Sequence, residues 1–242
     1  MYIENNLTIL IKTLKQATEI IGGYTVTSKM PTISYSISAK DCITGSKLRT
    51  IKNSVCSDCY ALKGNYIRYA KNLEPAQKRR LKSISNPNWV SAMVYIMRNQ
   101  KSVVNSGLFR WHDSGDLQSM EHLQKIVDIA TATPDIKHWL PTKESNLIKN
   151  FKGVIPENLI IRLSGSFING KAPIYKNTST VTTDINKRTC KAYLTDKNHK
   201  VHTQKKFDKY TSKQKKVFDF GHCGNCRDCW DSSIKNVSYL NH

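Results

Sequence analysis

The sequence lacks any apolar run near the roughly 18–20 residues a membrane span needs, so no membrane partner is expected. Its start, Met1-Tyr2-Ile3-Glu4-Asn5-Asn6, has no basic stretch leading into an apolar one. No secretory leader is expected, and the chain reads as cytoplasmic. Acidic residues are scarce: 18 Asp and Glu stand against 38 Lys and Arg, for a formal net charge of +20. That imbalance suits polyanionic partners, nucleic acid first, although lysines that only solvate a basic enzyme fit it equally. No internal repeat is present. An even cysteine set is missing too. The seven are Cys42, Cys56, Cys59, Cys190, Cys223, Cys226 and Cys229, largely at C-x-x-C spacing. This weighs against a disulfide framework and favours metal or cluster ligation in a reducing compartment.

At 242 residues the chain can bury a core without covalent staples, in one or two domains. Apolar spacing predicts a helix over 7–21, ended by Gly22-Gly23. Ile33, Tyr35, Ile37 and Ala39 alternate with Thr32, Ser34, Ser36 and Ser38, which predicts a strand with one buried face. Residues 41–64 read as a long loop, and 73–99 as helix broken near Asn86-Pro87, with Trp89, Met93, Ile96 and Met97 in the core. Strands are expected over 107–111, 137–140 and 158–163, with helices over 119–131 and 146–151. Alternation of this kind argues parallel βαβ units, whose ligand site lies beyond the carboxyl ends of the strands. Three polar loops fall there: His112–Asp116, Thr142-Lys143 and Ser164–Ser166. Residues 1–170 are therefore expected to form the core, and 171–242 a basic, Cys-rich extension packed on it.

Cys223-Gly224-Asn225-Cys226-Arg227-Asp228-Cys229 is the strongest local signal. Soft thiolates at this spacing suit zinc or an iron–sulfur cluster, and Cys190 is the candidate fourth ligand. Cys42, Cys56 and Cys59 form a second group. Three thiolates are one short of a closed zinc site but enough for a [4Fe–4S] cluster with one iron open. One cluster or two, and zinc instead of iron, stay open. His112, Asp116 and Lys143 are the candidate catalytic residues, with Ser114, Gly115, Thr142 and Ser164 as candidate cofactor contacts. Asp116 is alternatively the N-cap of the next helix. Residues 196–216 hold eight lysines interleaved with His199, His202, Phe207 and Tyr210. Read as an exposed, mobile segment, they carry the ingredients of single-strand binding, which are phosphate neutralisation and stacking.

A strand feeding a cysteine loop that closes with Cys56-x-x-Cys59-Tyr60-Ala61 resembles the cluster loop of radical S-adenosylmethionine (SAM) proteins. More narrowly, the chain resembles the phage-encoded, radical-SAM-like "gene product 88" proteins. Phe109-Arg110-Trp111-His112-Asp113-Ser114-Gly115-Asp116, His138-Trp139-Leu140-Pro141-Thr142-Lys143 and Cys223-x-x-Cys226-x-x-Cys229-Trp230 follow in that group's order, over residues 30–235. The resemblance implies an incomplete (β/α) barrel and a [4Fe–4S] cluster, in host cytoplasm. Two departures matter. Thirteen residues separate Cys42 from Cys56, and no Gly-Gly-Glu follows the second strand to receive the amine of SAM, a task left to Asp116. The expectation is an α/β iron–sulfur enzyme working by redox or Lewis-acid chemistry, with an electron donor as partner and SAM as an open question. The alternatives are a nucleic-acid-binding module with a structural metal, and a zinc hydrolase.

Overall fold

The computed structural model describes residues 10–241. Its strands are β1 (Ser34–Tyr35), β2 (Leu108–Trp111), β3 (Lys137–Thr142), β4 (Leu159–Ile168), β5 (Thr178–Thr182) and β6 (Asn236–Leu240). All pair in parallel, in the order in which the chain makes them, within one sheet that does not close on itself. Parallel neighbours need crossovers, and these supply the helices. Before β1 comes α1 (Leu14–Ile20). Between β1 and β2 run α2 (Ile43–Leu48), α3 (Asn65–Arg68), α4 (Ala70–Ser83), α5 (Trp89–Asn99) and α6 (Lys101–Ser106). Next come α7 (Met120–Ala132) and α8 (Ser145–Asn150), then α9 (Gln204–Asp208) and α10 (Ser212–Phe218) between β5 and β6.

The two faces of the sheet are covered differently. Tyr35, Phe109, Trp111, Leu140 and Ile161 point to the helices and join Trp89, Met93, Ile96, Leu123 and Ile126 in the main core. Fully burying a side chain of the size of Phe109 or Ile161 stabilises the fold by about 2 kcal/mol. On the opposite face Leu108 and Trp139 pack against Trp230, from the cysteine-rich segment near β6. Arg162 of β4 lies on this face with no solvent exposure. It donates to the carbonyls of Asp228 (2.7 Å), Cys229 (3.0 Å), Asp231 (2.7 Å), Ile234 (2.9 Å) and Thr178 (3.3 Å). One planar cation with a fork of fixed donors thus pins a whole loop to the sheet.

Several expectations change. The start of the 7–21 helix lies partly outside the described residues; within them α1 begins at Leu14. The strand expected over 32–39 is only two residues long, and its serine face is buried as well. The ladder stops because Arg80 Nη1 binds the Ser36 carbonyl (3.1 Å) and hydroxyl (2.6 Å), and the Ile37 N–H turns to the Ser114 carbonyl. Residues 41–64 are not a plain loop but hold α2 and short 3-10 turns. β4 runs to Ile168, so Ser164 and Ser166 sit within the strand, not beyond it. β5 and β6 lie in the stretch expected to be an extension packed on the core, so the sheet itself continues past residue 170. The segment 196–216 is folded around α9 and α10.

Candidate functional site

At the carboxyl ends of β1 to β4 four loops are tied together. The helix after β2 is capped by Ser119, whose hydroxyl accepts from the His122 N–H, so Asp116 is not its N-cap. Asp116 instead accepts from Thr142 Oγ1 (2.6 Å), the Lys143 N–H (2.8 Å) and the Leu117 N–H (2.8 Å). Glu144 reaches across to α2 and accepts from the Thr44 N–H (2.8 Å) and hydroxyl (2.7 Å). Lys143 Nζ spans to the Gly165 carbonyl (2.5 Å). The Ile168 N–H at the end of β4 bonds the Asn53 carbonyl, and Tyr60 donates to the Asp113 carbonyl. The stretch carrying Cys42, Cys56 and Cys59 is therefore anchored at both ends and in the middle.

The three thiols are half-buried and share an electrostatic environment. Burial pushes the Cys42 thiol well up, and the charges of Asp116, Cys59, Cys56 and Glu144 push it further. Burial also raises Cys56, with the Lys143 ammonium opposing. Lys143 itself is lowered by desolvation, against the pull of Cys56, Asp116 and Cys59. Burial lifts Asp116 to about 6, above what its hydrogen bonds recover. Gly45, on α2, leaves room between the sulfurs. A Cβ there would stand 3.5 Å from Cys42 Sγ, 3.6 Å from Cys56 Sγ and 2.9 Å from Cys42 Cβ.

In the second cysteine group, Cys229 lies with Trp230 on the sheet face away from the main core. The Cys190 N–H bonds the Ser238 carbonyl beside β6, and the Cys223 N–H bonds the Lys29 carbonyl. Cys229 Sγ lies 3.2 Å from the Tyr239 hydroxyl. Burial raises Cys190 to about 11, and the charges of Cys223 and Cys226 add to it. Cys229 rises to about 12 by burial, with Cys190 and Cys223 contributing. Arg110, stacked 4.5 Å over the Trp139 ring, lies in the field of Tyr60, Asp113, Tyr239 and Cys229. Sequence reasoning passed over Arg110 and Arg162, whose only signal is a cation at an inward-facing strand position.

Other candidates fall elsewhere. His112 has φ +51° and a buried ring set against Trp111 and His122, with neither nitrogen hydrogen-bonded. Burial holds it neutral, well below the usual histidine range. It is not brought to the rim with Asp116 and Lys143. Ser114 donates to the Ile37 carbonyl (2.8 Å) and accepts from Gln77, and Ser164 accepts from Ser179 (3.1 Å). Gly115, at φ +77°, has no room for a Cβ, which would overlap Ile37. These residues tie loops to strands. A cavity of about 350 Å³ opens at the opposite, amino ends of β2 and β3, near Gly107, Lys137, Arg227 and Trp230.

Among the described residues no group of three or more His, Cys, Asp or Glu is gathered so as to hold a metal ion, and all seven cysteines are free thiols. The donor chemistry nonetheless fits a soft metal: two sets of thiols, each within the others' field, and a glycine gap between two of the sulfurs. Among the described residues no helix is long and apolar enough to cross a membrane. The family model described as Gene product 88 matches residues 8–232. No curated protein and no solved structure matches.

Proposed function

The chain belongs to the Gene product 88 family, and from that premise we propose an iron–sulfur enzyme built on a partial, radical-SAM-like (β/α) barrel. Cys42, Cys56 and Cys59 would hold a [4Fe–4S] cluster with one iron open to substrate. The observation that carries this reading is the pair of sulfurs, Cys42 and Cys56, flanking Gly45 in the field of Asp116 and Lys143 at the carboxyl ends of parallel strands. That is where parallel sheets place their chemistry. The strand order, sequential and without a switch point, supports the barrel-like reading.

A bound cluster supplies one-electron or Lewis-acid chemistry. The chain's own residues do the rest. Asp116, buried and lifted to about 6, holds or accepts a proton in the field of the thiols. Lys143 presents a cation that orients an anionic substrate group. Glu144 fixes α2, and with it Gly45 and Cys42. SAM stands as one candidate substrate, with Asp116 as the acceptor for its amine. A zinc hydrolase is the weaker account, because the His112 ring is buried against Trp111 and His122.

Iron, sulfide and zinc content with a visible spectrum, on protein purified without oxygen, tests the reading. Near four iron and four sulfide per chain means one cluster; near eight means both groups are loaded. Zinc without sulfide sinks the iron–sulfur, radical-SAM-like reading. It would leave a module with structural zinc, for which the four-cysteine group around Cys229 is the specific support.

A further inference from the structure

Residues 196–222 form a small lobe with its own interior. His202, Phe207, Tyr210, Phe218 and Phe220 pack ring against ring, with centroids 4.8 Å apart for Tyr210–Phe218, 4.9 Å for Phe207–Phe220 and 5.1 Å for His202–Phe220. Asp196 is buried and pairs with His202 Nε2 at 2.7 Å. Thr211 and Gln214 form a capping box at α10. The acids of the lobe are occupied: Asp196 by His202, Asp208 by Gln204, and Asp219 by Lys29 and His222.

The lysines are not so committed. Lys197, Lys200, Lys206, Lys209, Lys213 and Lys216 are exposed, and none makes an ion pair among the described residues. Lys215 differs, lying 4.3 Å over the Phe207 ring. The lobe is thus a folded body of half-buried rings packed about the buried Asp196–His202 pair, with an unneutralised cationic outside. Fixing cations on a rigid frame lowers the entropy cost of meeting a regular array of phosphates. The rings are half-buried and engaged with one another, so the lysines are the groups that project furthest from the lobe.

We propose that this lobe, 196–222, is a contact surface for the phosphate backbone of duplex nucleic acid, engaged without base readout. The inference stands on the lobe alone and is independent of what the cysteines hold. Binding of a mixed-sequence DNA duplex of roughly 20 base pairs, followed by fluorescence anisotropy between about 50 and 200 mM salt, tests it. The variant Lys206→Ser/Lys209→Ser/Lys213→Ser/Lys216→Ser is expected to bind at least about tenfold more weakly at the low salt. Its log–log salt slope should shrink by about 0.9 for each phosphate that is no longer neutralised. Lys209→Ser and Lys213→Ser alone should each lower the slope by up to about 0.9, which keeps the test valid if the fourfold variant is unstable. The control is Lys12→Ser/Lys15→Ser/Lys149→Ser/Lys152→Ser, which removes the same charge from exposed positions elsewhere. Equal weakening by the control would overturn the proposal, leaving only whole-molecule charge. Tighter binding of the corresponding single strand would also overturn it.

Discussion

Thr142 Oγ1 donates to Asp116 Oδ1 at 2.6 Å, joining the loop after β2 to the end of β3 through one buried carboxylate. Burial outweighs the three hydrogen bonds and raises this group from 3.8 to about 6. The folded state therefore binds the proton more tightly than the unfolded chain. Stability contributed by the protonated form is complete below about 3.8 and lost as pH rises through about 6, by at most about 3 kcal/mol. In Asp116→Asn this slope is absent. Urea midpoints of the two proteins, measured from about pH 4 to 7, should diverge across that window. A constant difference would remove Asp116 as the titrating group.

Gly45→Ala separates folding from ligation. Alanine favours a helix by about 1 kcal/mol over glycine, so α2 should persist. Its Cβ would press on Cys42 Cβ at 2.9 Å and fill the gap between two sulfurs. The expected outcome is a folded protein with iron content at less than about half of wild type, given how little the neighbouring packing yields. Full metal content would show that the gap has no ligand role.

Arg162→Met should cost about 3 kcal/mol or more, because it leaves several buried carbonyls without a donor. Arg162→Lys should recover little, since one ammonium cannot reach the spread of Asp228, Asp231 and Ile234. Denaturant unfolding followed by tryptophan fluorescence checks both. A lysine variant as stable as wild type would mean that charge alone holds the segment.

Cys56→Ser and Cys226→Ser address the two thiol groups separately. If each group holds its own centre, each variant loses one complement of metal and keeps the other. Far-UV circular dichroism should remain that of the parent, since neither residue is in the main core. Loss of all metal in both variants would point to one shared centre.

The helix-covered half of the sheet was legible from the chain. The period-two run through Tyr35 and the apolar strands at Phe109, Leu140 and Ile161 mark buried positions, and α5 and α7 show clear helical spacing. β5 was hidden because its residues are Thr178, Ser179, Thr180, Val181 and Thr182. Their hydroxyls bond Asn236, Ser164 and Asn169, so the strand carries no hydrophobic alternation. The lobe was misread for a related reason. Its aromatics are too few to give a periodicity, and they meet only after two short helices fold back on each other. The cysteines announced themselves by spacing, whereas Lys143 and Asp116 meet through hydrogen bonds between separate loops that no local pattern encodes.

The grip of Arg162 also orders events in time. Its acceptors in the cysteine-rich segment lie 66 to 72 residues further along the chain. Contacts so distant in sequence are slow to form, because the loop entropy is lost before the contact rewards it. Until residues 228–234 dock, the guanidinium must stay hydrated and Leu108 and Trp139 lack their cover of Trp230. Docking brings Cys229 up to Tyr239 in the same step. Covering the sheet face and seating Cys229 thus depend on the same docking, and a chain without it would present a bare, sticky sheet face.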